Sequence, residues 1–272
     1  MTGGVERAAL VLAALLAASC GAPLMKLPAG PGAPAPDAAD ALREATIACR
    51  AVSTITAEIA VSGSIGGHRF RGRLLVGLAS PASARLEAVA PFGQPLFLFV
   101  ARDGDTTLLL PRDNRVLEHG RGDAVLEAVA GVPLDALDLR VAVTGCTSAP
   151  DSTEARRLGD DWLAVPDGPT DVYLHRDPHT APWRLVAAVH RDAGHANWRA
   201  EYRDFQNGLP RTVRLASLDS ARFDLRLTLS QIEVNEPLDA TTFRLQIPAG
   251  AEPITLEELR QDGPLAATRH VE

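Results

Sequence analysis

The sequence predicts an α+β domain in which an antiparallel sheet of about eleven or twelve strands is combined with three short helices. From Ile55 onward, apolar and polar residues alternate with a period of two, which is typical of half-buried strands. The alternating stretches are short and are separated by Gly, Pro, Asn and Asp residues, which favour turns. Three stretches with helical spacing lie before and between the strands, and this arrangement of elements indicates the α+β class.

The first helix is predicted over residues 38 to 52. Asp37 is a residue type that caps helix N-termini, and Asp40 stands where a weak capping box has its acid. The apolar residues that follow recur at steps of three and four and form one face: Leu42, Ala45, Cys49 and Val52.

The clearest strand pattern follows a hairpin turn at Gly66 and Gly67. One side of this strand consists of Phe70, Gly72, Leu74, Val76 and Leu78. The other side carries Arg69, Arg71 and Arg73. We interpret this arginine row as a solvated strand face, with contact to lipid head groups as the alternative.

Further strands are predicted by the same alternation. They lie at about 84–90, 95–101, 106–110, 115–118, 161–165, 170–175, 183–190, 197–205, 211–217 and 221–234. In the last strand the alternation changes parity, so a bulge is expected near Ser230 and Gln231. The stretch from Pro95 to Val100 is apolar on both faces, which predicts apolar neighbours on both sides of that strand.

Two more helices are predicted in the middle of the chain, over 124–130 and 134–141. Each precedes a glycine that can end a helix, Gly131 and Gly145. Their expected N-terminal signals are Asp123 and Pro133.

The N-terminus predicts export and a lipid anchor. The apolar run from Ala8 to Ala18 is too short to cross a bilayer core, which needs roughly 20 helical residues, so residues 1–19 are interpreted as a lipoprotein signal peptide. Leu16 to Ser19 resemble a lipobox ahead of Cys20, although Ala17 replaces its usual leucine. Cys20 is therefore the predicted site of lipid attachment; the alternative is an ordinary signal peptide cleaved nearby.

The mature chain is predicted to have three parts. Residues 20–36 form a tether rich in Pro, Gly and Ala that could hold the domain up to ~50 Å from the membrane. Residues 37–250 form the domain, and residues 251–272 form a tail with a short helix. In an oxidising compartment Cys49 and Cys146 can form one disulfide; two buried thiols are the alternative.

Composition and motifs exclude several classes of function. The net charge of −7 and the spread arginines argue against a nucleic-acid scaffold, and three cysteines make neither a disulfide scaffold nor a zinc pattern. His175 and His179 have the spacing of a helical metal pair, but Pro178 argues against a helix there. No catalytic constellation is recognisable. We therefore predict a protein that is not an enzyme and binds no metal, with no cofactor besides a covalent lipid on Cys20.

Four stretches resemble the LolB family of outer-membrane lipoprotein receptors, which is similar in fold to the soluble periplasmic lipoprotein carrier LolA. They are Ala90–Leu96, Leu126–Leu134, Asn197–Tyr202 and Leu209–Leu215. Phe243–Gly250 also looks like the C-terminal strand of this superfamily. The resemblance implies an unclosed antiparallel half-barrel, with helices as a lid over an apolar cavity that holds lipoprotein acyl chains.

The same resemblance implies a monomeric receptor that takes acylated lipoproteins from a periplasmic carrier and delivers them to the outer membrane. Gly21 is not the aspartate that retains some lipoproteins at the inner membrane, which favours an outer-membrane address. Phe92 occupies the place of the leucine with which the receptor's protruding loop inserts into the membrane. The alternative is an envelope lipoprotein of this fold that acts as a sensing or scaffold module without cargo transfer.

The expected cavity positions lie on the apolar strand faces and on the lid. They are Leu74, Val76, Leu86, Leu96, Leu98, Val129 and Leu134.

Overall fold

An open sheet of 15 strands organises the computed structural model, which describes residues 23–89, 95–147, 154–177, 180–192, 195–218 and 222–262. The strands are β1 (Ala33–Pro34), β2 (Thr54–Ile65), β3 (His68–Ala79), β4 (Ser83–Val89), β5 (Pro95–Arg102), β6 (Asp105–Leu110), β7 (Arg115–Gly120), β8 (Arg156–Arg157), β9 (Trp162–Asp167), β10 (Thr170–Asp177), β11 (Thr180–Asp192), β12 (His195–Arg203), β13 (Thr212–Ser217), β14 (Phe223–Val234) and β15 (Glu252–Pro253). The helices are α1 (Ala38–Ala45), α2 (Ile47–Arg50), α3 (Gly122–Ala130), α4 (Ala136–Thr144) and α5 (Leu256–Asp262).

The strand order is β1-β8-β9-β10-β11-β12-β13-β14-β2-β3-β4-β5-β6-β7-β15. All neighbours are antiparallel except β7 and β15. The predicted fold class is confirmed, with a higher strand count. Twelve strands are the ones that alternation predicts, and the other three are two-residue strands in segments without alternation. The predicted bulge in β14 is present, since the register with β2 shifts between Ser230 and Glu233.

The observed helix ends match the predicted capping residues only in part. The predicted first helix is interrupted at Thr46, whose hydroxyl donates to the Leu42 carbonyl. The expected cap Asp37 makes no cap hydrogen bond, because its carboxylate accepts from Arg157 instead. Gly131 and Gly145 end α3 and α4 in the left-handed conformation, both at φ 71°, as predicted.

The starts of α3 and α4 differ from the expected ones. Asp123 bonds to Arg121 rather than capping α3. At α4 the cap is Asp135, which accepts from the Asp138 backbone N–H in a capping box. Pro133 therefore precedes the helix rather than opening it.

The core lies on one face of the sheet, which we call the inner face, against the helices. Its largest fully buried side chains include Trp198, Phe99, Phe223 and Ile59. The opposite, outer face carries a smaller apolar cluster on β9 to β11: Ala164, Tyr173, Ala187 and Val189, with Leu158 beside them. Leu27 packs on this cluster.

The described part of the predicted tether, residues 23–36, lies on the domain instead of extending away from it. The Met25 backbone N–H donates to the Glu201 carboxylate over 2.6 Å, and its carbonyl accepts from Arg199. Further along, β1 pairs with β8 and Ala35 is buried. An extended, proline-rich backbone has no internal hydrogen bonds, so its polar groups are free to bond to a neighbouring surface. We call residues 23–37 the N-terminal segment.

The C-terminal boundary expected at residue 250 is also too early. Residues 243–250 form no strand, although Phe243 is buried. The chain then forms β15 beside β7, and α5 packs against α3 with Leu259 fully buried. The tertiary fold therefore extends to residue 262, the last described residue.

A disulfide joins Cys49 in α2 to Cys146 beyond the end of α4. No helix in the described ranges is long and apolar enough to cross a membrane.

Candidate functional site

A cavity of about 390 Å³ lies between the inner face of the sheet and the helices α3 and α4. Strands β2 to β5, β13 and β14 form its wall. Its lining is almost entirely apolar; the two charged residues in it, Arg71 and Arg73, flank Gly72 and carry their side chains on the opposite face of β3.

Alternation along each strand builds this wall. On β2, Ile59 and Val61 point inward, and on β14 Leu225 and Leu227 do the same. The two strands are antiparallel neighbours, so these four side chains form one continuous apolar surface. On β3, Gly72 leaves room for the ring of Phe70, because a Cβ there would lie 3.0 Å from that ring.

Five of the seven positions predicted for the cavity line it. They are Leu74, Val76, Leu86, Leu96 and Leu134. Leu98 does not, because its neighbours Phe97 and Phe99 are buried on the inner side and side chains alternate along a strand. Val129 does not either, since it is fully buried in the core while Leu126 and Ala130 of the same helix face the cavity.

Several lining residues were not among the predicted ones. They include Ile59, Val61, Leu215, Leu225 and Leu227 of the sheet and Leu139, Ala142 and Val143 of α4. The alternation in β2, β13 and β14 was a usable signal for the first group. For α4, the helical pattern shows that a face is apolar but not whether that face meets the sheet or an empty space.

Helix α4 is held firmly at its C-terminal half. The Tyr202 hydroxyl donates to the Val141 carbonyl over 2.6 Å, and burial raises the pKa of this hydroxyl. Arg140 donates to the Val52 carbonyl over 2.8 Å. Just beyond the end of the helix, Cys146 forms the disulfide with Cys49. Helix α3 is linked to the sheet side by an ion pair between Glu127 and Arg222 at 2.8 Å.

A second, polar groove of about 610 Å³ lies near the N-termini of α3 and α4. His190 lies 3.3 Å from Asp138 and stacks on Trp198, with 5.1 Å between the ring centroids. Burial raises the pKa of the Asp135 carboxyl in this groove. The described residues contain no group of three or more His, Cys, Asp or Glu that could hold a metal ion.

Two predicted site residues lie outside the described residues. They are Cys20, the expected lipid attachment site, and Phe92, the expected membrane-inserting side chain.

Comparison with known proteins gives the fold but no sequence relative. No family model matches the chain, and no curated protein matches it. Among solved structures, a LolA superfamily protein from Nitrosomonas europaea superposes with a TM-score of 0.55 at 11% identity, covering 76% of this chain and 96% of that one. The chain therefore shares its fold with this LolA superfamily protein.

Other solved structures resemble the chain to a similar extent. A DUF1329 family protein from Desulfovibrio piger gives a TM-score of 0.52 at 12% identity, covering 78% of this chain and 97% of that one. A putative outer membrane lipoprotein-sorting protein domain from Vibrio parahaemolyticus gives a TM-score of 0.48 at 14% identity, covering 75% of this chain and 95% of that one. At these identities the similarity shows a shared fold, and it does not single out the LolB receptor.

Proposed function

We propose that this chain is an outer-membrane-anchored lipoprotein that binds the acyl chains of other lipoproteins and helps to deliver them to the outer membrane. The observation that carries the proposal is the apolar cavity between the half-barrel and the helices. Its volume falls in the range of about 300–1,000 Å³ that is usual for small-molecule sites. An apolar wall of this kind favours a hydrocarbon ligand over a polar one.

The physical driving force is the removal of methylene groups from water, at about 0.8 kcal/mol for each buried CH₂. In the proposed transfer no bond is made or broken, so no catalytic group or cofactor is needed. Cargo moves from a periplasmic carrier to this protein, and on to the membrane, according to relative affinity for the acyl chains.

The proposed location is the bacterial cell envelope, facing the periplasm. A lipid on Cys20 would provide the anchor, and two or more fatty chains hold a protein stably where one does not. The Cys49–Cys146 disulfide is compatible with an oxidising compartment. We propose that the protein works as a monomer and that Phe92 contacts the membrane during delivery.

The first test is native mass spectrometry on the mature chain, residues 20–272 with Cys20→Ser, before and after incubation with an acylated lipoprotein. Capture of the lipoprotein that is lost when its acyl groups are removed is the expected result. A chain that stays empty would contradict acyl-chain transfer and would favour a scaffold role.

Cells provide the second test. Depletion of the protein should leave other lipoproteins stranded in the periplasm, and Phe92→Glu should impair their delivery without impairing capture. Normal lipoprotein sorting after depletion would contradict the delivery role while leaving acyl-chain binding open to the first test.

A further inference from the structure

The outer face of five adjacent strands carries rows of arginine. Residues directly opposite one another in antiparallel strands point to the same face, so the register defines the rows across β12, β13, β14, β2 and β3. The first row is Arg199, Ala216, Asp224, Ser64 and Arg69. The second is Glu201, Arg214, Arg226, Ser62 and Arg71, and the third is Arg203, Thr212, Thr228, Ala60 and Arg73. We call these three rows the arginine face.

The charge of the arginine face is opposite to that of the whole chain. Its fifteen positions contain seven arginines and two acids, a net charge of 7 − 2 = +5. Glu58, which borders the face and lies 3.4 Å from Arg73, reduces this to +4. The chain as a whole carries −7. The folded sheet thus concentrates positive charge that is dispersed along the sequence.

Part of this positive charge is neutralised by ion pairs within the protein, and the rest is available to bind an anionic ligand. Arg199 pairs with Glu201, and Arg214 pairs with Asp224. Arg69, Arg71 and Arg226 are exposed and form no ion pair within the described residues. A guanidinium presents a planar fork of donors that matches the oxygens of a phosphate group.

The N-terminal segment docks at the edge of the arginine face, where Met25 bonds to Arg199 and Glu201. Met25 lies five positions after Cys20, and a fully extended chain of that length spans at most about 18 Å. With the proposed lipid on Cys20, the membrane would therefore lie close to this face. This placement rests on the proposed lipid attachment, whereas the charge pattern does not.

We propose that the arginine face binds the phosphate groups of anionic lipids and lies against the membrane surface. Basic residues close to an anionic bilayer each add attraction that decreases within a Debye length. The face thus supplies a second, electrostatic membrane contact beside the lipid anchor. It holds the domain in one orientation, with the outer face of β12–β14, β2 and β3 towards the bilayer.

The test measures binding of the mature chain, residues 20–272 with Cys20→Ser, to vesicles by cosedimentation. Neither signal peptide nor lipid contributes in this protein. We expect binding to phosphatidylglycerol mixed with phosphatidylcholine, no binding to phosphatidylcholine alone, and loss of binding in high salt. Arg69→Gln with Arg226→Gln should weaken the affinity by about fivefold for each arginine, or about 25-fold together.

The matched control is Arg43→Gln with Arg260→Gln, which removes the same charge from half-exposed arginines in helices α1 and α5. It should retain vesicle binding, as should Arg69→Lys with Arg226→Lys. Equal losses in the two glutamine doubles, equal binding to neutral vesicles, or tighter binding to a short single-stranded DNA would each overturn the assignment.

The same variants separate this inference from the proposed function. Neither Arg69 nor Arg226 lines the cavity, so Arg69→Gln with Arg226→Gln should capture acylated lipoprotein normally. A protein that binds anionic vesicles but captures no lipoprotein would contradict the cavity proposal alone.

Discussion

Glu201 is a fully buried carboxylate on the outer face, and its two arginine partners differ in exposure. Arg199 lies 2.7 Å away with 9% of its side chain exposed, whereas Arg203 lies 3.4 Å away and is 50% exposed. Removing one partner of a buried ion pair costs about 3–5 kcal/mol, because the other charge stays buried. An exposed pair contributes about 0–1 kcal/mol.

We therefore predict that Arg199→Met lowers the free energy of unfolding by about 3 kcal/mol or more, and that Arg203→Met lowers it by less than about 1 kcal/mol. Urea unfolding of both variants measures the difference. Similar losses would show that Glu201 depends on the N-terminal segment and the backbone rather than on Arg199.

Leu74 and Leu75 offer a matched pair on β3. Leu74 lines the cavity, and Leu75 is 42% exposed on the outer face. Leu74→Trp should fill the cavity and abolish capture of an acylated lipoprotein, whereas Leu75→Trp should leave it intact. Native mass spectrometry gives the captured fraction, and both variants must first give the cooperative thermal unfolding of the wild type. Capture by a folded Leu74→Trp variant would place the acyl chains elsewhere.

The sequence predicts the face of the sheet on which a side chain lies better than it predicts which residues that side chain contacts. Alternation correctly placed Leu74 and Val76 on the inner side. It could not decide between faces for Leu98, because the stretch around it is apolar on both sides and a shift by one residue exchanges the faces. The arginine row on β3 was visible, but Arg214 and Arg226 join it only through the register of distant strands.

The position of helix α5 is fixed in part by the carboxylate of Glu258. Glu258 accepts from the backbone N–H and the hydroxyl of Thr255, each over 2.8 Å, and from Arg115 over 3.0 Å. The hydrogen bonds from Thr255 and then from Arg115 lower the pKa of Glu258 to about 2. A pKa below its unfolded value means that the carboxylate stabilises the fold above pH 4.5 or so and loses this effect as the pH falls towards 2.

Glu258→Gln should therefore destabilise the protein near neutral pH, and the difference from the wild type should close as the pH falls below about 4. Urea unfolding over a pH series measures it. Glu257→Gln is the control, since Glu257 makes only exposed contacts within its helix, accepting from the Gln261 side chain over 3.0 Å and pairing loosely with Arg260 at 3.7 Å. A difference that is constant with pH would indicate a steric effect of the substitution.

Elements with a strong internal period were predicted, and elements that depend on docking were not. The twelve longer strands and both glycine helix ends follow from local sequence. The N-terminal segment and β15 show no period in the sequence. They form because partners far away in the chain supply their hydrogen bonds. Asp37 illustrates the same competition, since Arg157 takes the carboxylate that local sequence assigns to the helix cap.

At the scale of the whole molecule, the Cys49–Cys146 bond joins two distant parts of the chain. It closes a loop with a sequence separation of 97 residues. In the chain-entropy description, a loop of this length stabilises the folded state by up to about 4.7 kcal/mol. Cys49→Ala with Cys146→Ala should lower the free energy of unfolding by an amount of that order, measured in urea.

Reduction of the wild-type protein should lower its free energy of unfolding by the same amount, and reductant should not change the free energy of unfolding of the double variant. Equal stability of the oxidised wild type and the double variant would contradict a constraining role for the bond. If the bond acts chiefly by holding α4 over the cavity, acyl-chain capture should weaken in the double variant under conditions where it remains folded.

Both ends of the open sheet finish in two-residue strands, and each of these contains a proline, Pro34 in β1 and Pro253 in β15. Proline has no N–H to donate to a further strand, and a very short edge offers few hydrogen-bonding groups to another chain. An open sheet is ordinarily prone to edge-to-edge aggregation. In this protein the two short, proline-containing strands cover the edges of β8 and β7, which protects the open sheet from pairing edge to edge with another chain.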